Sequence, residues 1–183
     1  MSEKTVARIL KQLGMKSRIV KKYKATTNSK HQMPVHEKYL NQQFSAQTSG
    51  EVWMMDIPYS STDEGWRYLP SVMDHVYPTD CGFQMGSRMT KEPVLSALER
   101  AYQAHRPASE VLHHSDRGSQ YAAQEHQKKL VEYGMKGSMS RKRNCYDNVC
   151  IESFHSILKK ELVYLEHFKT REEYISFTWS STA

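Results

Sequence analysis

The feature that most constrains this chain is the run VWMMDIPY at 52–59, apolar and aromatic throughout except for one acid, Asp56, in its middle. So apolar a run is expected to be a central strand buried on both faces. An aspartate inside such a strand is costly unless it is paired, hydrogen-bonded or bound to a cation. Pro58 weakens the pairing near the strand's end. A second acid stands in a related place. In VLHHSDRGSQY at 111–121 a short apolar stretch ends in Asp116, and carboxylates set where a strand meets a loop are where α/β folds tend to place chemistry.

The rest of the body reads in order around these two strands. Asp63-Glu64-Gly65 is a turn, and Trp66 to Met73 is expected to return as a second strand of an antiparallel hairpin. A third strand falls near Cys81 to Met85. Val94, Leu95, Leu98 and Tyr102 share one face of a helix over 91–105, which Pro107 stops. After Asp116, Ser119 is the expected N-cap of one helix running to about Tyr133 and closed by Gly134. Met135 to Met139 is a short strand and Ser140 to Asn144 a basic loop. A last helix from near Asp147 to about Leu165 carries Glu152 in its first turns, beside its apolar stripe. Three antiparallel strands followed by parallel strands with crossover helices make a mixed α/β sheet flanked by helices, the layout of a ribonuclease-H-like fold. That layout brings Asp56, Asp116 and Glu152 to one end of the sheet. Three carboxylates side by side suit phosphodiester chemistry, which uses two divalent ions about 4 Å apart held by oxygen ligands.

Charge divides the 183 residues into two parts. Residues 1–50 hold ten Lys and Arg against Glu3 and Glu37, which leaves the remainder slightly acidic within a total of +6. A basic arm on a near-neutral body fits either contact with a polyanion, nucleic acid being the usual one, or a solubilising tail. The expected division is 1–48, a partial helix-turn-helix-like basic arm and linker, and 49–183, a catalytic core. In the arm, Val6, Ile9, Leu10 and Leu13 mark one short helix closed by Gly14. Lys16 to His31 holds six Lys or Arg and no acid, including Lys21, Lys22 and Lys24, and suits phosphate contact without base reading. Leu40 to Phe44 and Ala46 to Gly50 read as a polar linker.

Three stretches resemble the catalytic subunit of bacterial insertion-sequence transposases with a retroviral-integrase-type core: 52–69, 112–122 and SMSRKRNCYDNVCIESFHSILKKEL at 138–162. Thirty-five residues separate Asp116 from Glu152, the spacing typical of this class. The resemblance implies a DDE enzyme in which Asp56, Asp116 and Glu152 are at once catalytic residues and ligands of two Mg²⁺ (or Mn²⁺) ions. It implies metal-dependent cleavage of DNA at element ends followed by strand transfer. The alternative is a non-catalytic DNA-binding protein derived from a transposase. Implied partners are DNA, as terminal repeats and target, further copies of the chain on that DNA, and a separate helix-turn-helix protein. With Lys21, Lys22 and Lys24, the candidate DNA contacts are Arg117, Arg141, Lys142, Asn148 and Lys159. Asn148 falls on a motif position and can orient Glu152 or the DNA; Arg117 can touch phosphate or pair with an acid.

Other residues read as structural. His113 and His114 lack a carboxylate or Cys partner at zinc spacing, which favours a structural or DNA-proximal role. Cys81, Cys145 and Cys150 form no CxxC pair and no disulfide framework. Without a signal peptide or membrane-spanning run, a cytoplasmic, nucleoid-associated place is expected. The sequence departs from the family at 77–83, at Arg143, where glycine is usual, and beyond Glu173. There YISFTWSSTA lacks helical periodicity and basic residues, as a truncated core would.

Overall fold

The computed structural model describes residues 3–14, 31–40, 46, 48–76, 80–141, 144–161 and 163–182. The basic segment 15–30, with Lys21, Lys22 and Lys24, lies outside these, as do Lys142, Arg143 and residues 77–79. The first helix, α1, spans Glu3–Gln12. The sheet strands are β1 (Val52–Asp56), β4 (Ser71–Asp74), β5 (Asp80–Phe83), β6 (Leu112–Ser115) and β7 (Lys136–Met139), while β2 (Tyr59–Thr62) and β3 (Gly65–Tyr68) form a separate two-stranded hairpin. The five strands lie in the order β5-β4-β1-β6-β7. β4 runs antiparallel to both β1 and β5, whereas β6 is parallel to β1 and to β7. The expected mixed sheet is present.

The two long strands expected at 52–59 and 66–73 are each cut in two. Pro58 and Pro70 lack an N–H, so the ladder cannot run through either. Leu69 N–H donates to the Pro58 carbonyl at 2.8 Å, and beyond that point the hairpin continues as its own sheet. The cut ends β1 at Asp56.

Alternation along β1 sorts the core. Trp53 and Met55 pack on one face with Val72, Val94, Leu98 and Tyr121; Val52 and Met54 pack on the other with Leu40, Met73 and Ile151. The first face is covered by α2 (Lys91–His105), which has the boundaries its apolar spacing predicts. A Cβ on Gly82 would lie 2.5 Å from the Ala101 backbone nitrogen, so glycine is what lets α2 cross β5 this closely. The second face is covered by α5 (Val149–Glu161), which carries Ile151 into the core.

Three sequence expectations need correction. Ser119 is not an N-cap: Gly118 holds that position and Ser119 is already helical. Nor is 119–133 one helix. It divides into α3 (Ser119–Ala122) and α4 (Gln124–Glu132) at Ala123, whose ψ of 139° is extended, and Gln127 Nε2 donates to the Tyr121 carbonyl freed by the break. The C-terminal tail, expected without helical periodicity, forms α6 (Arg171–Thr182). Its start is a capping box: the Glu173 carboxylate accepts from Thr170 N–H at 3.2 Å and Glu173 N–H donates to Thr170 Oγ1 at 3.1 Å. Tyr174 then packs on Phe168 and Val163, with Phe177 at their edge.

Part of the expected linker is packed instead. His31 to Leu40 crosses the outer edge of the sheet as a strap. Leu40 is buried because it completes the α5-side core. Met139 N–H donates to the Glu37 carbonyl at 3.4 Å, covering β7 where it would otherwise be an open edge. Residues 41–45 lie outside the described set.

Candidate active site

Register and alternation together place two of the three acids. Met55 faces Ser115 across the parallel β1–β6 pair, so Asp56 and Asp116 stand one step further along neighbouring strands. Both have the parity of Met54 and His114 and so belong to the face that α5 covers. Glu152 lies in the first turns of that helix. Burial raises the Glu152 carboxyl pKa, and the charges of Asp56 and Asp116 raise it further. All three acids therefore act on one region of space, and each added negative charge makes the next harder to hold.

Asp56 is steadied by a histidine that the sequence analysis did not single out. His155, one helical turn after Glu152, reaches Asp56 Oδ2 with Nδ1 at 3.2 Å, and its Nε2 lies 2.7 Å from Ser71 Oγ. A carboxylate only accepts, so Nδ1–H donates to it, and Nε2 meets the Ser71 hydroxyl. Ser71 faces Asp56 directly in the β1–β4 register. Burial alone would raise the Asp56 carboxyl; the His155 bond and charge, the Ile57 N–H and Lys159 outweigh it and hold the pKa below its usual value. The Asp56 side chain keeps 26% exposure, so this acid is not sealed in. Asp116 Oδ1 accepts from Gly118 N–H at 2.8 Å, which turns the chain sharply after β6.

A second unpredicted residue, Asp147, anchors the start of α5. Its fully buried carboxylate takes Lys38 Nζ at 2.9 Å, Arg141 N–H at 2.9 Å, and Arg141 Nε and Nη2 at 3.1 Å. Burial alone would raise this carboxyl, but Arg141 and Lys38 hold it well below the usual carboxylate range. Its backbone carbonyl accepts from His114 Nε2 at 3.0 Å, and His114 Nδ1 faces Ser138 Oγ at 2.9 Å. Ser138 Oγ in turn accepts from the strap, from Tyr39 N–H at 3.1 Å and Leu40 N–H at 3.3 Å. Burial lowers the His114 pKa to about 4, so the ring in this chain of bonds is neutral. His113 points to the opposite face, 5.2 Å from His126 between ring centres. Neither histidine faces the acids as a ligand.

The candidate DNA contacts are differently placed. Lys159 is half-buried, with Nζ 5.0 Å above the Tyr59 ring and within the field of Asp56. Arg117 Nε donates to the Ser140 carbonyl at 2.7 Å. Arg141 is half-exposed, with its guanidinium engaged by Asp147. Asn148 is buried at 3% exposure; its carbonyl accepts from Glu152 N–H, and its Oδ1 has no hydrogen-bond partner among the described residues. A sequence signal for the unpredicted supports existed in part: His155 is one turn from Glu152, but its reach to Ser71 depends on strand register.

Three carboxylates with no nitrogen or sulfur donor among them form a set suited to a hard divalent cation. The donor chemistry fits. Among the described residues, though, no three His, Cys, Asp or Glu side chains are drawn together as a ready metal cluster.

This fold and this edge of acids define a class, and the sequence agrees. Residues 46–145 match the integrase core domain family, and the chain belongs to it. In sequence its relatives are insertion-sequence proteins. It is 44% identical over 172 residues to the insertion element IS600 uncharacterized 31 kDa protein of Shigella sonnei, covering 93% of this chain and 63% of that one. It is 39% identical over 169 residues to transposase InsF for insertion sequence IS3A of Escherichia coli, covering 92% and 59% respectively. The chain thus spans about three-fifths of the length of these relatives. Among solved structures, it is similar to the simian T-cell lymphotropic virus intasome (TM-score 0.59, 23% identity, 75% of this chain and 46% of that one). It is also similar to the HTLV-2 integrase catalytic core domain in complex with magnesium (TM-score 0.52, 16% identity, 63% and 70%). At these identities the two structures bear on the fold alone, which is ribonuclease-H-like. Among the described residues no helix is long and apolar enough to cross a membrane.

Proposed function

We propose that this chain is the catalytic core of an insertion-sequence transposase, with Asp56, Asp116 and Glu152 as the ligands of two Mg²⁺ (or Mn²⁺) ions. The observation that carries this reading is that Asp56 and Asp116 end adjacent parallel strands on the face covered by α5, while their charges both raise the pKa of Glu152 there. Bound cations would relieve that repulsion, activate a water or 3′-hydroxyl and stabilise the leaving oxygen of a phosphodiester. The protein's own part is to aim the carboxylates and to hold the Asp56 charge. His155 and Ser71 fix the Asp56 rotamer, the Gly118 N–H fixes Asp116, and the bond from His114 to Asp147 fixes the first turn beneath Glu152.

Lys159 is the best placed of the candidate DNA contacts, since it lies beside Asp56 and can meet the phosphate entering the site. Arg117, Arg141, Asn148, Lys142 and the arm lysines Lys21, Lys22 and Lys24 complete the proposed DNA contacts. The solved intasome is a multi-component assembly by its own description, and a multimer on paired DNA ends is proposed here by analogy.

The test uses the purified chain, a labelled duplex of the element's terminal repeat, and Mg²⁺ or EDTA, beside Asp116→Asn. Nicked or joined products that need both the metal and Asp116 are expected. Binding of the duplex with no metal-dependent product would refute catalysis and favour a DNA-binding derivative.

A further inference from the structure

The β2–β3 hairpin carries a feature that the carboxylate site does not use. Its register pairs Tyr59 with Tyr68 and Ser61 with Trp66, so these four side chains share one face, while Ser60 and Arg67 share the other. Ser60 is buried, so the second face looks inward. A hairpin with one face on the body is expected to turn polar residues outward. This one turns three aromatic rings outward instead, and Trp66 at the far end is 53% exposed.

The rings form a connected set. Tyr59 and Trp66 meet edge to face with centres 5.3 Å apart, and Tyr59 and Tyr68 are 6.2 Å apart. Lys159 Nζ stands over Tyr59 and within the field of Asp56, so the aromatic face begins at the rim of the acid site and leads away from it. It is also held in place. Asp63 N–H donates to the Phe168 carbonyl at 3.1 Å, the Asp63 carboxylate meets His167 at 3.2 Å, and Glu64 accepts from Arg171 N–H at 2.9 Å. The hairpin's two acids are thereby turned toward the start of α6 rather than onto the aromatic face.

We propose that this face is a stacking platform for an unpaired base of the DNA strand whose phosphate occupies the carboxylate site, with Trp66 as the stacking surface. The inference rests on the DNA-processing reading above. A base offers a flat π-face to Trp66 and its linked phosphate offers a negative charge to Lys159, so one nucleotide satisfies both ends of the set. Base-on-aromatic stacking is tolerant of sequence and makes a measurable share of single-strand affinity. A terminal base so held is drawn out of its duplex, which exposes the neighbouring phosphodiester.

The test measures binding of the full chain by fluorescence anisotropy to two labelled duplexes of one terminal-repeat sequence. One is fully paired and the other has three unpaired nucleotides at the end. The wild type is expected to prefer the unpaired end, and replacing those bases by abasic residues is expected to remove the preference. Trp66→Ala is expected to weaken binding to the unpaired end by about tenfold or more while leaving the paired duplex unchanged, and Trp66→Phe to restore most of the loss. Binding of both duplexes with no preference, or a preference that survives Trp66→Ala, would overturn the platform and leave the DNA reading standing. Binding of neither would overturn both. If sedimentation shows a dimer that Trp66→Ala separates, with DNA preference intact, the face is an interface between copies and the platform is likewise overturned.

Discussion

Substituting His155 in two ways separates the work of its two ring nitrogens. Asparagine places an N–H close to where Nδ1 stands and keeps the donation to Asp56 Oδ2, now 3.2 Å long, while giving up Ser71. Glutamine reaches the Nε2 position, keeps Ser71 and abandons Asp56. A hydrogen bond to a charged group is worth roughly 1.5–3 kcal/mol, and removing a partner that orients a metal ligand typically costs about 10–100-fold in metal affinity. The two figures agree, since tenfold is about 1.4 kcal/mol. His155→Gln is therefore expected to raise the Mg²⁺ concentration for half-maximal cleavage by about 10–100-fold, with the rate at saturating Mg²⁺ changed far less. His155→Asn should stay within about fivefold of the wild type, the size of one neutral hydrogen bond of about 1 kcal/mol. Calorimetric titration with Mn²⁺ reads the same shift without relying on turnover. Equal metal half-saturation for both variants, or a wild-type value for His155→Gln, would refute the orientation of Asp56 by His155.

Two further outcomes concern stability. Asp147→Ala strips the carboxylate from Lys38 and Arg141, and breaking a buried pair costs about 3–5 kcal/mol, so the urea midpoint should fall with an unchanged slope; a loss under about 1 kcal/mol would show that Asp147 does not hold the strap. His126 is buried with His113, Tyr121 and His36 about it, and burial lowers its pKa from 6.5 to about 4. The unfolded chain takes this proton as pH falls through 6.5, whereas the folded chain takes it only near 4, so stability present above pH 6.5 is lost progressively between these values. The loss due to His126 is about 2 kcal/mol at pH 5, read by urea unfolding at pH 7.5 and pH 5, and His126→Gln should abolish that share; an equal pH dependence in the variant would count against it.

Much of the architecture was legible because it depends on local pattern. The face Val94, Leu98 and Tyr102 with Pro107 behind it gives α2, and the apolar runs around Asp56 and before Asp116 give the two central strands. What was not legible depends on partners distant in sequence. Pro58 alone reads as a frayed strand end; only with Pro70 opposite does it divide one hairpin into two sheets. Among the described residues α6 buries Tyr174 with Phe177 beside it, and the capping box from Thr170 to Glu173 was there to be read. Leu40 looked like linker because its core partners, Met54 and Ile151, are contributed by β1 and α5. Asp56 was readable as a costly residue in an apolar run, Asp116 as an acid at a strand's end and Glu152 as an acid opening a helix. Their supports were not, since a histidine or an aspartate on a helix shows no partner in the sequence.

Those supports explain how a surface helix can hold an acid in register with two strands. Glu152 stands on the exposed side of the first turns of α5, so its place depends on how α5 is seated. Two struts seat it. Below Glu152, the Asp147 carbonyl is bonded to His114 on β6, two residues before Asp116. Above it, His155 is bonded to Asp56 at the end of β1. Each strut lands on a strand that carries one of the other two acids, so a displacement of α5 must stretch a bond to the strand whose acid it would leave behind. Both struts use an imidazole N–H, donated to a backbone carbonyl by His114 and to a carboxylate by His155. Loss of either strut should therefore loosen the spacing on one side only, toward Asp116 or toward Asp56, while the sheet register still holds the two aspartates side by side.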